Sequence, residues 1–391
     1  MIGRRLRRVR KSRGKSLEVV AGLAGITKGY LSMLETGERP LNGLKLIVAL
    51  AGALEISPSE LTRMPLPAPG DGNTDAATEA VRRALDAIDV GRPGGMSVPI
   101  EILRDRVAQL QQKSRACRFA EVATDLPELI RDLHTTLDMG SHRGELLTLA
   151  VYLHVHITRM WLGYAGAPAD LRRRAVFLAR TLAQEHSEPT TLGMATFGVA
   201  DVLLRGGAFE LVQTELGSLT LPPATADTTG LLCALLASHA LAAVVTGQPG
   251  DAAAPMQTAA DTAARFGEYP ADPLGFAFGP MNVRFRQMSL ALERDEPDHA
   301  VSIAQQLHPE RHPFPSKRVY YWMTYGRALA QLRDRREDAM RALRTAEETF
   351  PTRVYRDPMV RDALTTLIKK PPAGRVGEEL RGLAYRAGLP V

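Results

Sequence analysis

SLEVVAGLAGITKGYLSMLETG, residues 16–37, is the stretch whose reading decides the first sixth of the chain. Ser16 is a good N-cap, and Glu18 lies in the first turn that follows, where the helix dipole favours an acid. Val20, Ala21 and Ala24 fall on one inward face, and Gly25 breaks the helix. Thr27 then caps a second helix that runs through Thr36 and stops at Gly37. Two short helices joined by a tight glycine turn are expected here.

The flanks extend the pattern. Arg4 to Arg13 reads as a basic helix with one narrow apolar stripe, Leu6 and Val9, stopped by Gly14. Pro40 and Asn42 make a loop. Leu44 to Leu54 is a core helix, apolar at Leu46, Ile47, Leu50 and Leu54. Ser57-Pro58 opens a short fifth helix, with Pro at the first helical position. MPLPAPGDGNT, residues 64–74, has three prolines and two glycines and reads as a semi-extended linker that transmits no force to the head. The expected organisation is a five-helix head over residues 1–63, a linker over 64–74 and a second domain over 75–391.

Charge supports that division. Residues 1–63 hold 12 Lys and Arg against 5 Asp and Glu, a balance of +7, while the remainder balances at −1. The first fifteen residues carry eight positive charges and no acid. A polyanion is the expected partner of the head. With 391 residues, two or three domains are expected. Apolar residues at 45% and charged residues at 24% exclude global disorder. Two cysteines, Cys117 and Cys233, exclude a disulfide framework or a four-cysteine zinc site, and point to a cytoplasmic setting. No apolar signal segment is visible in residues 2–15. LLCALLASHALAAVV, residues 231–245, is too short to span a bilayer and reads as a buried helix.

From Asp75 onward the chain is amphipathic helix punctuated by Gly and Pro, as at 91–99, 166–168, 222–223, 270–275, 309–315 and 371–372. No stretch alternates with period two, so the fold class is all-α. The helices come in pairs. The clearest is Trp322-x2-Tyr325-Gly326-x2-Leu329 followed by Ala339-x3-Leu343-x2-Ala346-x4-Pro351. Weaker copies of the second helix start at Ala252 and Ala300. A degenerate repeat of helix pairs predicts a helical solenoid.

On these residues, the head resembles the Xre/Cro, lambda-repressor-like helix-turn-helix family. Ser16 to Ala21, Ala24-Gly25-Ile26-Thr27, Tyr30-Leu31-Ser32-x2-Glu35-x-Gly37 and Leu50-Ala51 to Pro58 carry the match. Leu17 stands where the family often has a glutamine that touches the DNA backbone. Residues 118–370 resemble tetratricopeptide repeats of the kind that follow such heads in bacterial regulators, some of them peptide-sensing.

The resemblance implies that Thr27 to Thr36 lies in the major groove. Carried over by position, Lys28, Gly29, Ser32 and Met33 face the bases. Lys28 is placed to bond guanine, and Met33 to touch a thymine methyl. Tyr30 reaches a phosphate or packs sideways. Ser16 and Thr27, with the free N–H groups at their helix starts, hold phosphates. Arg4 and Arg7, from the set Arg4, Arg7, Arg8 and Lys11, add salt-sensitive affinity. A homodimer reading two half-sites about 34 Å apart is the expected geometry, with the solenoid holding the dimer.

Enzyme chemistry is not expected. GRPGGMSVP, residues 91–99, lacks the Lys-Ser/Thr ending of a phosphate loop. His154 and His156, two apart on a helix, point apart and share no metal. His308 and His312 read as an exposed loop. No cofactor, metal or membrane partner is implied. The concave face of a repeat stack is lined by the first helix of each pair. Its candidate ligand residues are His239, Phe278, Asn282, Arg286, Tyr321 and Tyr325, with Asn282 suited to a peptide backbone. The reading is a DNA-binding transcriptional regulator whose repeats dimerise and sense a small molecule or peptide. The alternative is an interaction adaptor tethered to DNA by its head.

Overall fold

A computed structural model describes residues 2–56, 58–62, 72–220, 224–268, 272–369 and 374–389. Among them no strand occurs, and the fold is all-helical. Ser57, Pro222-Pro223, Pro270 and Pro371-Pro372, read above as caps or punctuation, lie outside the described residues.

The head comprises α1 (Ile2–Ser12), α2 (Leu17–Leu23), α3 (Lys28–Thr36), α4 (Leu44–Ala53) and α5 (Pro58–Thr62). Ser16 Oγ accepts from the Val19 N–H, and Thr27 Oγ1 from the Tyr30 N–H, so both serve as the side-chain caps their positions favour. The chain bends by 107° between α2 and α3. Gly25 makes that turn at φ +66°, a left-handed conformation that costs glycine nothing. Leu6, Val20, Leu31, Leu34, Leu50 and Leu54 are buried at the centre. Ile26 is only half-buried. Arg10 reaches from α1 to α3, where Nε and Nη2 bond both carboxylate oxygens of buried Glu35 at 2.6 and 2.8 Å.

The remainder stacks in order: α6 (Gly72–Asp89), α7 (Ile100–Arg115), α8 (Phe119–Asp138), α9 (Arg143–Tyr152), α10 (Arg159–Tyr164), α11 (Ala169–His186), α12 (Pro189–Gly206) and α13 (Phe209–Gly217). Then follow α14 (Thr229–Val245), α15 (Ala253–Phe266), α16 (Pro280–Glu293), α17 (Pro297–Gln305), α18 (Pro315–Leu329) and α19 (Arg336–Thr349). The chain closes with α20 (Pro351–Arg356), α21 (Pro358–Lys369) and α22 (Gly374–Arg386). Consecutive partners α11 and α12, α14 and α15, α16 and α17, and α18 and α19 pack together. Small residues set the close approach. A Cβ on Gly326 of α18 would stand 2.7 Å from Leu343 of α19, and Ala300, Ala304, Ala339 and Ala346 are fully buried. Residues 231–245 fall in α14, which is buried along most of its length. Among the described residues no single helix is long and apolar enough to cross a membrane.

Two features depart from the sequence reading. Of residues 64–74, only Gly72–Thr74 are described, and they already belong to α6. Asn and Thr are tolerated at a helix start, where their poor interior propensity does not count. More consequentially, the head is not held by the linker alone. It is docked on the repeats. α4 packs against α12, α14 and α16. Asp362 of α21 accepts the Leu41 N–H at 2.5 Å, and the Asn42 amide and Arg327 exchange bonds of 3.2 and 2.6 Å. Glu293 accepts the Lys45 N–H at 3.1 Å, and Arg39 pairs with Asp295 at 3.3 Å. Gly207, at the end of α12, lies so close to Val48 that a Cβ there would meet it at 2.9 Å. The linker's composition describes its own stiffness and says nothing of what the other faces of the head touch.

Candidate nucleic-acid interface and central cavity

Docking leaves Ser16 and the start of α3 uncovered. Ser16, Thr27, Lys28 and Gly29 are exposed, as are Arg4 and Arg7 on α1; Ser32 and Met33 are half-buried. Lys28 Nζ is paired with Glu18 Oε1 at 2.8 Å, and this hydrogen bond holds the Glu18 carboxyl below its ordinary range. Tyr30 is turned towards the seam. Arg39 lies 5.4 Å above its ring, and burial beside Asp295 pushes its phenol up. The free N–H groups at the start of α3 remain at the surface beside Thr27, an arrangement that suits a phosphate.

Between the head and the repeats lies a cavity of about 1210 Å³. Leu44, Ile47, Pro58, Glu60 and Thr62 of the head form part of its wall. α7, α10, α11, α12, α16 and α18 supply much of the rest. Phe197, Phe276, Phe278, Phe285, Tyr164 and Tyr320 give it aromatic surface. Nine Arg and Lys line it against five Asp and Glu. One carboxylate, Asp201, serves three guanidiniums: Arg159 at 2.5 Å, Arg205 at 3.0 Å and Arg172 at 3.5 Å. Their joint field outweighs the desolvation of Asp201 and drives its pKa far down. Lys317 keeps part of its surface on the cavity yet sits deep in the protein mass. Burial, helped by Arg286 and Arg115, pulls its ammonium down to about 7.

Three lining side chains carry a buried polar atom with no hydrogen-bond partner: Gln111 Oε1, His156 Nε2 and Arg172 Nε. Each such atom costs about 1–3 kcal/mol if left so. His156 owes its place to a π-helical segment, Leu153–Thr158, between α9 and α10. Such wide turns concentrate at functional sites. His156 packs against Phe276 with ring centroids 4.6 Å apart, whereas His154 meets His134 at 2.9 Å between Nε2 atoms. The two thus serve different surroundings.

Of the candidate ligand residues, Phe278, Asn282 and Arg286 line the cavity. The Asn282 amide is already engaged, donating to the Ala277 carbonyl at 2.6 Å and meeting His312 Nε2 at 3.2 Å. Tyr321 is buried with its hydroxyl donating to the Ala304 carbonyl at 3.0 Å, and Tyr325 packs on Tyr321 and Trp322. His239 is half-buried in α14, bonded to the Leu216 backbone, away from the cavity lining. His312 is not in an exposed loop. It is fully buried, stacked on Phe285, because the prolines around it turn the chain inward onto α16. Among the described residues no group of three or more His, Cys, Asp or Glu is placed to hold a metal. The reading along the sequence passed over Lys317, Tyr320, Arg353 and the Asp201 cluster. Their charges sit within amphipathic helices like any solvated face, and only the closure of the stack turns them inward.

Residues 2–64 match a helix-turn-helix domain family. The match covers the head and supports a DNA-binding regulator. No curated protein and no solved structure matches the chain.

Proposed function

We propose that the chain is a sequence-specific transcriptional regulator of the Xre/Cro type. In this reading its tetratricopeptide-like repeats dimerise and sense a small molecule or peptide, and it works in the cytoplasm. The observation that carries this reading is that Thr27, Lys28 and Gly29 of the second helix stay exposed while the opposite parts of the head are docked on the repeats. Lys28 leaves Glu18 for a guanine edge, and the α3 start receives a phosphate. A large cavity walled partly by the head favours a sensor over an adaptor, since its occupant touches both parts at once. The test is selection of bound duplexes from a random pool by the full chain, followed by a salt titration. A defined site with two half-sites about 34 Å apart is expected, as is a loss of well over tenfold between 50 and 200 mM salt. Retention without sequence preference, or a flat titration, overturns it.

A further inference from the structure

Two guanidiniums flank Tyr320, and Lys317 lies within their field. The guanidiniums of Arg286 and Arg353 each lie 5.7 Å from the Tyr320 ring centroid, and Lys317 precedes that residue by three on α18. Lys317 Nζ donates to the Phe276 carbonyl at 3.5 Å, and Arg353 Nη1 to the Ser316 carbonyl at 3.1 Å. Among the described residues no carboxylate forms an ion pair with any of the three. Two guanidiniums gathered at one aromatic ring, with an ammonium whose proton is weakly held at neutral pH beside them, have no ion-paired carboxylate and are held against their mutual repulsion. Tyr320 reports the same field: its phenol is drawn down by Arg286 and by the Ser289 hydroxyl despite burial that pushes it up. Beside the cluster lie the aromatic walls and the unpartnered atoms of Gln111, His156 and Arg172, two of them on side chains more than nine-tenths buried.

We infer that the cavity is the receptor site for a small organic anion, an aromatic or apolar body bearing a phosphate or carboxylate head received by Arg286, Lys317 and Arg353. Phosphates and carboxylates match the fork of a guanidinium, and two forks around one ring suit a dianionic head or the two oxygens of a carboxylate. The body lies against Phe197, Phe276 and Phe278. Gln111 Oε1 and His156 Nε2 accept hydrogen bonds, so a hydroxyl or amine on the body is matched as well. The inference rests on the regulator reading for its consequence, and on the cavity alone for its chemistry.

The probe is 8-anilinonaphthalene-1-sulfonate, an aromatic monoanion, titrated into the full chain beside its neutral analogue N-phenyl-1-naphthylamine. Saturable binding at one site per chain is expected, with the neutral analogue weaker by about tenfold or more. Arg286→Gln and Arg353→Gln each weaken the anion by a similar factor, and Arg286→Lys recovers most of it. Displacement by phenyl phosphate against phenylacetate separates the two head groups. Equal binding of charged and neutral probes overturns the inference without any variant. So does undiminished anion binding by glutamine variants that melt like the parent. Duplex selection on the same preparations is read separately: its failure removes the regulator reading and leaves the anion site standing, and the reverse holds.

Discussion

Lys28 Nζ sits 2.8 Å from Glu18 Oε1, across the turn that separates α2 and α3. In the proposed reading, the side chain that meets a base is therefore held by an acid until DNA displaces it. Lys28→Ala relaxes preference at one base position per half-site by about 1–3 kcal/mol, seen by comparing binding-site selections. Glu18→Gln, which removes a carboxylate from beside the phosphates, tightens binding to all duplexes alike. A changed preferred base with Glu18→Gln would contradict this assignment.

Asp362 joins α21 to the head through the Leu41 N–H, a bond spanning 321 positions. Asp362→Ala leaves that buried donor without its acceptor, at a cost of about 1–3 kcal/mol. Faster hydrogen exchange at Leu41 and along α4, with the far repeats unchanged, is the expected signature.

Four histidines are buried and neutral. Burial lowers His134 to about 4 and His312 to about 3, and it holds His154 and His156 well below 6.5. Because each folded value lies below the unfolded one, the unfolded chain takes up protons first as pH falls. Their stabilisation is complete above about pH 6.5 and drains as pH falls from about 6.5 towards each folded value, by up to about 1.4 kcal/mol per pH unit for each. Melting temperature against pH checks this. His134→Gln, which removes one titrating ring, flattens the slope.

Asp201 pairs with Arg159, Arg172 and Arg205 at once and offsets one of their three charges. Asp201→Asn leaves them unpaired and destabilises by about 3 kcal/mol. Inorganic phosphate raises the melting temperature of this variant more than that of the parent, measured in the same buffer series.

Gly326→Val places methyl groups where Leu343 already stands. Overpacking of this kind costs about 1–3 kcal/mol. A compensating Leu343→Ala restores part of the loss in a double-mutant cycle.

Local signals were legible in the sequence. Caps at Ser16 and Thr27, the turn at Gly25 and the small residues of α18 and α19 act on their immediate neighbours, so composition and spacing betray them. The Arg10–Glu35 pair joins positions 25 apart, and the Leu41–Asp362 bond joins positions far more distant. Neither leaves a periodicity. The π segment adds no unusual residue type: His154 and His156 read as an ordinary helical pair, and the wide turn that separates their surroundings is visible only in the backbone. The cavity is a collective property. Arg286, Lys317 and Arg353 come from separate helices, and their convergence on Tyr320 depends on the curvature of the whole stack.

The docked seam has a consequence for how such a chain can be altered. Arg39 to Val48 forms a mount, and in the proposed reading Lys28 to Met33 forms a DNA-reading edge, on one small domain. Bases can be re-specified along the edge while the mount stays untouched. Exchanging heads between chains at the Pro-rich segment preserves the tether and discards the mount. A hybrid built that way keeps two folded parts with no shared wall between them and, on the proposed function, inherits the operator of one parent without the responsiveness of the other. To keep both, the graft must carry the Arg39–Val48 strip of the recipient into the incoming head.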